Sequence, residues 1–104
     1  MREIQPAQLK AMLDAGEVKL LDVRAPEEIA IAALPGAVNI PMSEIQGRLS
    51  ELDPAQPIVV LCHHGMRSEM AGRFLERNGF TAVAHLAGGI DAWSRQIDNA
   101  VPRY

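Results

Sequence analysis

A chain of 104 residues has room for one domain with a real core and none for a second catalytic module. Its net charge of −3, with no run of like charges, gives no reason to expect a nucleic-acid partner. Met1-Arg2-Glu3-Ile4 lacks an apolar signal region, no uninterrupted apolar stretch is long enough for a bilayer, and the single cysteine excludes an internal disulfide, so the expected location is the cytoplasm, with no membrane partner.

Pro6 opens a helix carrying Leu9, Met12 and Leu13, which Gly16 ends. Val18 to Val23 reads as a strand, and Pro26 begins a short helix with Glu27 and Glu28 in its first turn, where the dipole favours acids. Pro35-Gly36 turns the chain back. Ser43, with Gln46 three residues on, is a capping-box signature that predicts a helix with Ile45, Leu49 and Leu52, and Pro54 and Pro57 bracket its exit loop. Pro57-Ile58-Val59-Val60-Leu61 is short, apolar and β-branched, the pattern of a fully buried parallel strand. Beyond a glycine-containing turn, Ala71, Phe74, Leu75 and Asn78 recur at helical spacing from near Ser68, and Asn78-Gly79 supplies the stop. Thr81 to Leu86 reads as the last strand, and Gly88-Gly89 leads into a helix with Ile90, Trp93 and Ile97 on one face. Such alternation predicts an α/β fold: a mostly parallel sheet with helices on both faces, forming one domain over residues 1–104.

Ligands in such sheets bind outside the carboxyl ends of the strands, and Cys62 sits at one. The loop Cys62-His63-His64-Gly65-Met66-Arg67-Ser68 joins that strand to a helix start, where unpaired backbone N–H groups point inward and favour a thiolate. Bringing a cysteine from about pH 8.5 to about 6.5 for half-ionisation takes roughly 2.7 kcal/mol. A helix dipole supplies about 0.3–1 kcal/mol, too little, whereas each hydrogen bond to a charged group contributes roughly 1.5–3 kcal/mol, so two well-aimed amides suffice. Gly65 lets the backbone turn its amides inward, and Arg67 adds a forked cation suited to closing the loop or holding an oxyanion. These features mark Cys62 as a nucleophile rather than a small buried hydrophobe.

Here the sequence resembles the single-domain rhodaneses, a sulfurtransferase family, over nearly its whole length. Leu20-Leu21-Asp22-Val23-Arg24 with Pro26-Glu27-Glu28 is similar to the family's early strand and Asp-x-Arg signature. Leu34-Pro35-Gly36-Ala37-Val38-Asn39-Ile40-Pro41 is similar to its PGA-x-N-x-P turn, Cys62 to Ser68 to its active loop, and Ala87-Gly88-Gly89-Ile90-Asp91-Ala92-Trp93 to its GG-x-x-x-W segment. Ala33 stands where the family often has His, and Ile29 where it often has an aromatic; both bear on local packing. The resemblance implies a sheet of about five strands. It also implies attack by the Cys62 thiolate on a sulfane-sulfur donor, thiosulfate or a persulfide, to leave a Cys62 persulfide. A thiol, cyanide-like or protein acceptor then removes the outer sulfur. In this reading the amides of His63 to Ser68 hold the negative sulfur, and Arg67 orders the loop.

No metal or organic cofactor is expected, because consecutive Cys62-His63-His64 is a poor tetrahedral set and no CxxC or HxxxH spacing occurs. Asp22 and Arg24 read as a structural pair near the loop, with substrate contact by Arg24 the alternative. His63 and His64 read as exposed spacers, His85 as a strand end, Trp93 as core, Met66 as an apolar rim for an acceptor and Glu69 as a partner of the dipole. Two other classes compete: a cysteine phosphatase, whose Cys-x5-Arg loop is one residue longer than the Cys62 to Arg67 spacing, and a non-catalytic or sulfur-relay interaction module.

Overall fold

The computed structural model describes residues 1–104. Its elements run β1 Arg2–Ile4, α1 Pro6–Asp14, β2 Lys19–Asp22, α2 Pro26–Ile31, β3 Val38–Asn39, 3-10 turns Met42–Glu44 and Gln46–Glu51, β4 Ile58–Leu61, α3 Met66–Arg77, β5 Val83–Leu86 and α4 Gly89–Gln96. The strands form one sheet in the order β1-β5-β4-β2-β3, parallel throughout. The parallel sheet with helices on both faces expected from the alternation of elements is therefore present, with all five strands.

Strand parity divides the core. Leu20, Val59, Leu61, Ala84 and Leu86 face α1 and α4, packing on Leu9, Ile90 and Trp93. Leu21, Ile58, Val60 and Val83 face α3 and the 3-10 segment, packing on Ala71, Leu75, Ile45 and Leu52. Because side chains alternate along a strand, Cys62 continues the face of Ile58 and Val60, and it lies in that second cluster beneath α3. His85 continues the face of Val83 in the same way.

The helix expected from Ser43 and Gln46 does not form. Neither 3-10 turn has a side-chain cap, and Arg48 inside the second leaves helical geometry at φ −124°. Gly47 weakens an α-helix there, and Arg48 is drawn to both Glu44 and Glu51. A 3-10 path rises about 2.0 Å per residue against about 1.5 Å for an α-helix, so it spans the gap to β4 while still burying Ile45 and Leu52. Strands β1 and β3 are too short for a period-2 pattern and are held by their parallel partners β5 and β2. No helix is long and apolar enough to cross a membrane.

Candidate active site

Cys62 follows the carboxyl end of β4, and its side chain is 1 % exposed. Its sulfur accepts hydrogen bonds from the Gly65 amide at 3.0 Å and the Ser68 amide at 3.3 Å. Two donors thus converge on one sulfur, and each hydrogen bond to a charged acceptor contributes roughly 1.5–3 kcal/mol. The turn that aims them passes through Gly65 at φ +109°, a conformation that side chains resist. The Ser68 hydroxyl donates back to the Gly65 carbonyl at 3.0 Å, tying the two amide-bearing residues together.

The loop is also held from α4. The Ile90 and Asp91 amides donate to the Cys62 and His63 carbonyls at 2.8 and 3.1 Å. This contact brings Gly89 so close that a Cβ there would collide with both carbonyls, at a backbone φ of +61°. The paired glycines thus serve the cysteine loop as well as the helix start. Gly89→Ala is expected to cost at least about 2 kcal/mol through strain and overpacking, measured by urea unfolding; a cost within about 0.5 kcal/mol means the anchor is not needed.

Around the mouth, the structure separates the two histidines. His64 is exposed, whereas the half-buried His63 ring lies 3.9 Å from His64 and stacks on Tyr104 at 3.8 Å. The spacer reading therefore does not describe His63. Burial, then the neighbouring His64, pushes its pKa below the ordinary imidazole value and keeps it neutral. Met66 stands open at the rim with 79 % of its surface exposed.

Arg67 commits its fork to Glu28. Nη1 and Nη2 meet the two Glu28 oxygens at 2.9 and 3.0 Å, clasping the start of α3 to α2. Hydrogen bonding by Arg67 holds the Glu28 carboxyl below its ordinary value of 4.5. A lowered folded pKa means that the clasp is present at neutral pH and lost as pH falls through that value. An anionic donor reaching Arg67 must compete with Glu28. Glu69, in the first turn of α3, also pairs with Arg73 at 2.9 Å.

Asp22 and Arg24 form a buried pair, at 1 % and 0 % exposure, with Arg24 Nη2 2.6 Å from Asp22 Oδ2. Arg24 also donates to the Ala32 carbonyl at 2.8 Å and the Tyr104 hydroxyl at 2.9 Å, and Asn39 donates to the Asp22 and Arg24 carbonyls. The pair joins the ends of β2, α2 and β3 to Tyr104 behind the loop. Its guanidinium is fully buried and its donors are taken by Asp22, Ala32 and Tyr104.

A family model described as the rhodanese-like domain matches residues 5–96. The chain belongs to the rhodanese-like domain family. It is 38 % identical to a sulfurtransferase of Allochromatium vinosum over 96 residues, covering 91 % of this chain and 90 % of that protein. It is 39 % identical to the putative sulfur carrier protein YrkF of Bacillus subtilis over 97 residues, covering 92 % of this chain and 52 % of that longer protein. A rhodanese-related protein of Thermoplasma volcanium superposes with a TM-score of 0.84 at 31 % identity, over 98 % of this chain and 96 % of the other.

Within this rhodanese-like domain, three residues at the site make contacts that no local sequence pattern announces. Glu28 sits in the first turn of α2, where the dipole favours it, and also clasps Arg67; Tyr104, outside every motif, covers His63 and accepts a hydrogen bond from Arg24. His85 lies inside β5 rather than merely ending it, 3 % exposed, with Nδ1 3.2 Å from Ser68 Oγ. The only sequence signal was a histidine at an inward position of a buried strand.

Proposed function

We propose that this rhodanese-like domain is a sulfurtransferase with Cys62 as its nucleophile. The two backbone amides converging on a buried sulfur at a strand end carry the reading. The Cys62 thiolate attacks the outer sulfur of the donor. A new S–S bond forms, the donor's own S–S bond breaks, and its electron pair leaves with sulfite or a thiolate. An acceptor thiolate or cyanide then attacks the outer sulfur of the Cys62 persulfide and returns Cys62 as thiolate. The Gly65 and Ser68 amides stabilise the negative sulfur at both stages, and Asp22 and Arg24 support the loop from behind. All of this belongs to one domain over residues 1–104. A reducing compartment such as the cytoplasm keeps its only thiol available.

Little free positive charge surrounds the loop, since Arg67 is engaged by Glu28 and His63 is neutral. A persulfide donor, small or protein-borne, therefore suits the site better than the thiosulfate dianion. The likeness to a putative sulfur carrier protein supports a relay that hands the sulfur on to an acceptor.

Incubation with thiosulfate is expected to add one sulfur atom to the intact protein by mass spectrometry, and cyanide to remove it as thiocyanate. Aryl phosphates are expected to be hydrolysed only at background, because the Cys62 to Arg67 loop is one residue short for phosphate. Absence of the added sulfur, or robust phosphatase turnover, rejects the proposal.

His64 tests the charge argument, since it is exposed and replaceable without disturbing the Tyr104 stack. His64→Arg is expected to lower the Michaelis constant for thiosulfate about three-fold or more while kcat changes less, because the added attraction acts on bound donor and transition state alike. An unchanged constant means that this side chain points away from the donor.

A further inference from the structure

His85 lies on the α3 side of β5, and the strand register sets it beside Glu3 of β1. Its Nε2 is 3.2 Å from Glu3 Oε2, and its Nδ1 is 3.2 Å from Ser68 Oγ. That hydroxyl reaches the Gly65 carbonyl at 3.0 Å. Gly65 and Ser68 are the residues whose amides hold the Cys62 sulfur. A continuous chain of contacts thus runs from an exposed carboxylate, through a buried imidazole and hydroxyl, into the sulfur cradle.

The Gly65 carbonyl only accepts, so it takes the single Ser68 hydroxyl hydrogen, and Ser68 Oγ must then accept from Nδ1–H. The Glu3 carboxylate also only accepts, which requires a hydrogen on Nε2. Both conditions are met together by the imidazolium. In a neutral ring facing a carboxylate, the remaining hydrogen stays on Nε2, so Nδ1 becomes an acceptor. The Ser68 hydrogen then turns toward His85 and leaves the Gly65 carbonyl to the Glu69 amide alone, which donates to it at 3.1 Å.

We propose that Glu3, His85 and Ser68 are positioning residues for the sulfur cradle: protonated His85 adds a side-chain lock to the turn from Gly65 to Ser68, and loss of that proton removes this second tie, leaving only the Glu69 amide on the Gly65 carbonyl. Glu3 faces the ring from β1, and Ser68 and Glu69 from α3, with Glu69 held by Arg73. The β4 neighbour in register is the apolar Val60, and the Cys62 sulfur is linked to the ring through Ser68. The lock rests on the sulfurtransferase reading only for what the cradle holds.

Hydrogen exchange of the Gly65 and Ser68 amides, followed by NMR and corrected for intrinsic rates, tests the lock directly. As pH is raised from about 6 to about 8, protection of both amides in the native sequence is expected to fall about five-fold or more relative to Val60 and Ala84. Ser68→Ala is expected to lack the extra protection at the lower pH. Glu3→Gln, at an exposed position that tolerates change, supplies an amide donor to Nε2, leaves the neutral ring's hydrogen on Nδ1 and keeps the protection at the higher pH. No fall in the native sequence, full protection in Ser68→Ala at the lower pH, or the same fall in Glu3→Gln overturns the proposal. Thiosulfate:cyanide turnover measured in parallel separates the two readings, since exchange reports the lock whether or not sulfur is transferred.

Discussion

Replacing Cys62 with serine is expected to abolish sulfur loading and to lower thiosulfate:cyanide turnover at least about 1000-fold, to the uncatalysed background. A serine hydroxyl in the same cradle accepts the Gly65 and Ser68 amides, but it is not a thiolate at neutral pH and forms no persulfide. No other thiol exists to substitute for it, because Cys62 is the only cysteine in the chain. The variant is expected to remain folded. Its oxygen keeps both amide partners, so exchanging a buried sulfur for a hydroxyl should change stability by no more than about 1–2 kcal/mol. Intact-mass spectrometry after thiosulfate treatment, beside a thermal melt, gives the decisive comparison. Sulfur addition to the folded serine variant, or persistent turnover by it, removes Cys62 from the mechanism.

Arg24→Met is expected to have the largest effect on stability, about 3–5 kcal/mol, because it leaves the Asp22 carboxylate buried without its cation. Against a total of about 5–15 kcal/mol for a domain, that loss decides whether the chain stays folded near body temperature. The Ala32 carbonyl and the Tyr104 hydroxyl lose a donor in the same substitution. Removing both charges with Asp22→Leu and Arg24→Met is expected to recover at least about 1 kcal/mol relative to the single variant, since two well-packed apolar side chains need no partner charge. A double-mutant cycle by urea unfolding measures the coupling. A cost below about 1 kcal/mol for Arg24→Met means that the pair is not the strut behind the loop.

The two substitutions separate chemistry from scaffold, and they differ in how far each role was legible beforehand. The cysteine loop was legible because its signals are local: an apolar β-branched run, a glycine turn and a helix start within a few residues of Cys62. The amides on the sulfur come from residues three and six positions along the chain, so the loop's own geometry supplies them. Asp22 and Arg24 were legible as a pair for the same reason, being two residues apart. The capping-box signature of Ser43 and Gln46 was local too, yet it misled. Burial of Ile45 and Leu52 and the clasp of Arg48 on Glu44 and Glu51 outweighed one cap.

What the sequence by itself determined is the order of helices and strands, through hydrophobic period and punctuation by Pro and Gly, and the position of the one sulfur at a strand end. The tertiary structure alone decided which distant residues meet that loop. Arg67 finds Glu28 across 39 residues, Ser68 finds His85 across 17, and Arg24 finds Tyr104 across 80. Periodicity carries no information about such meetings. They depend on strand order and register, and register is settled when the two apolar faces of the sheet are buried together, which sets the exposed Glu3 beside the buried His85.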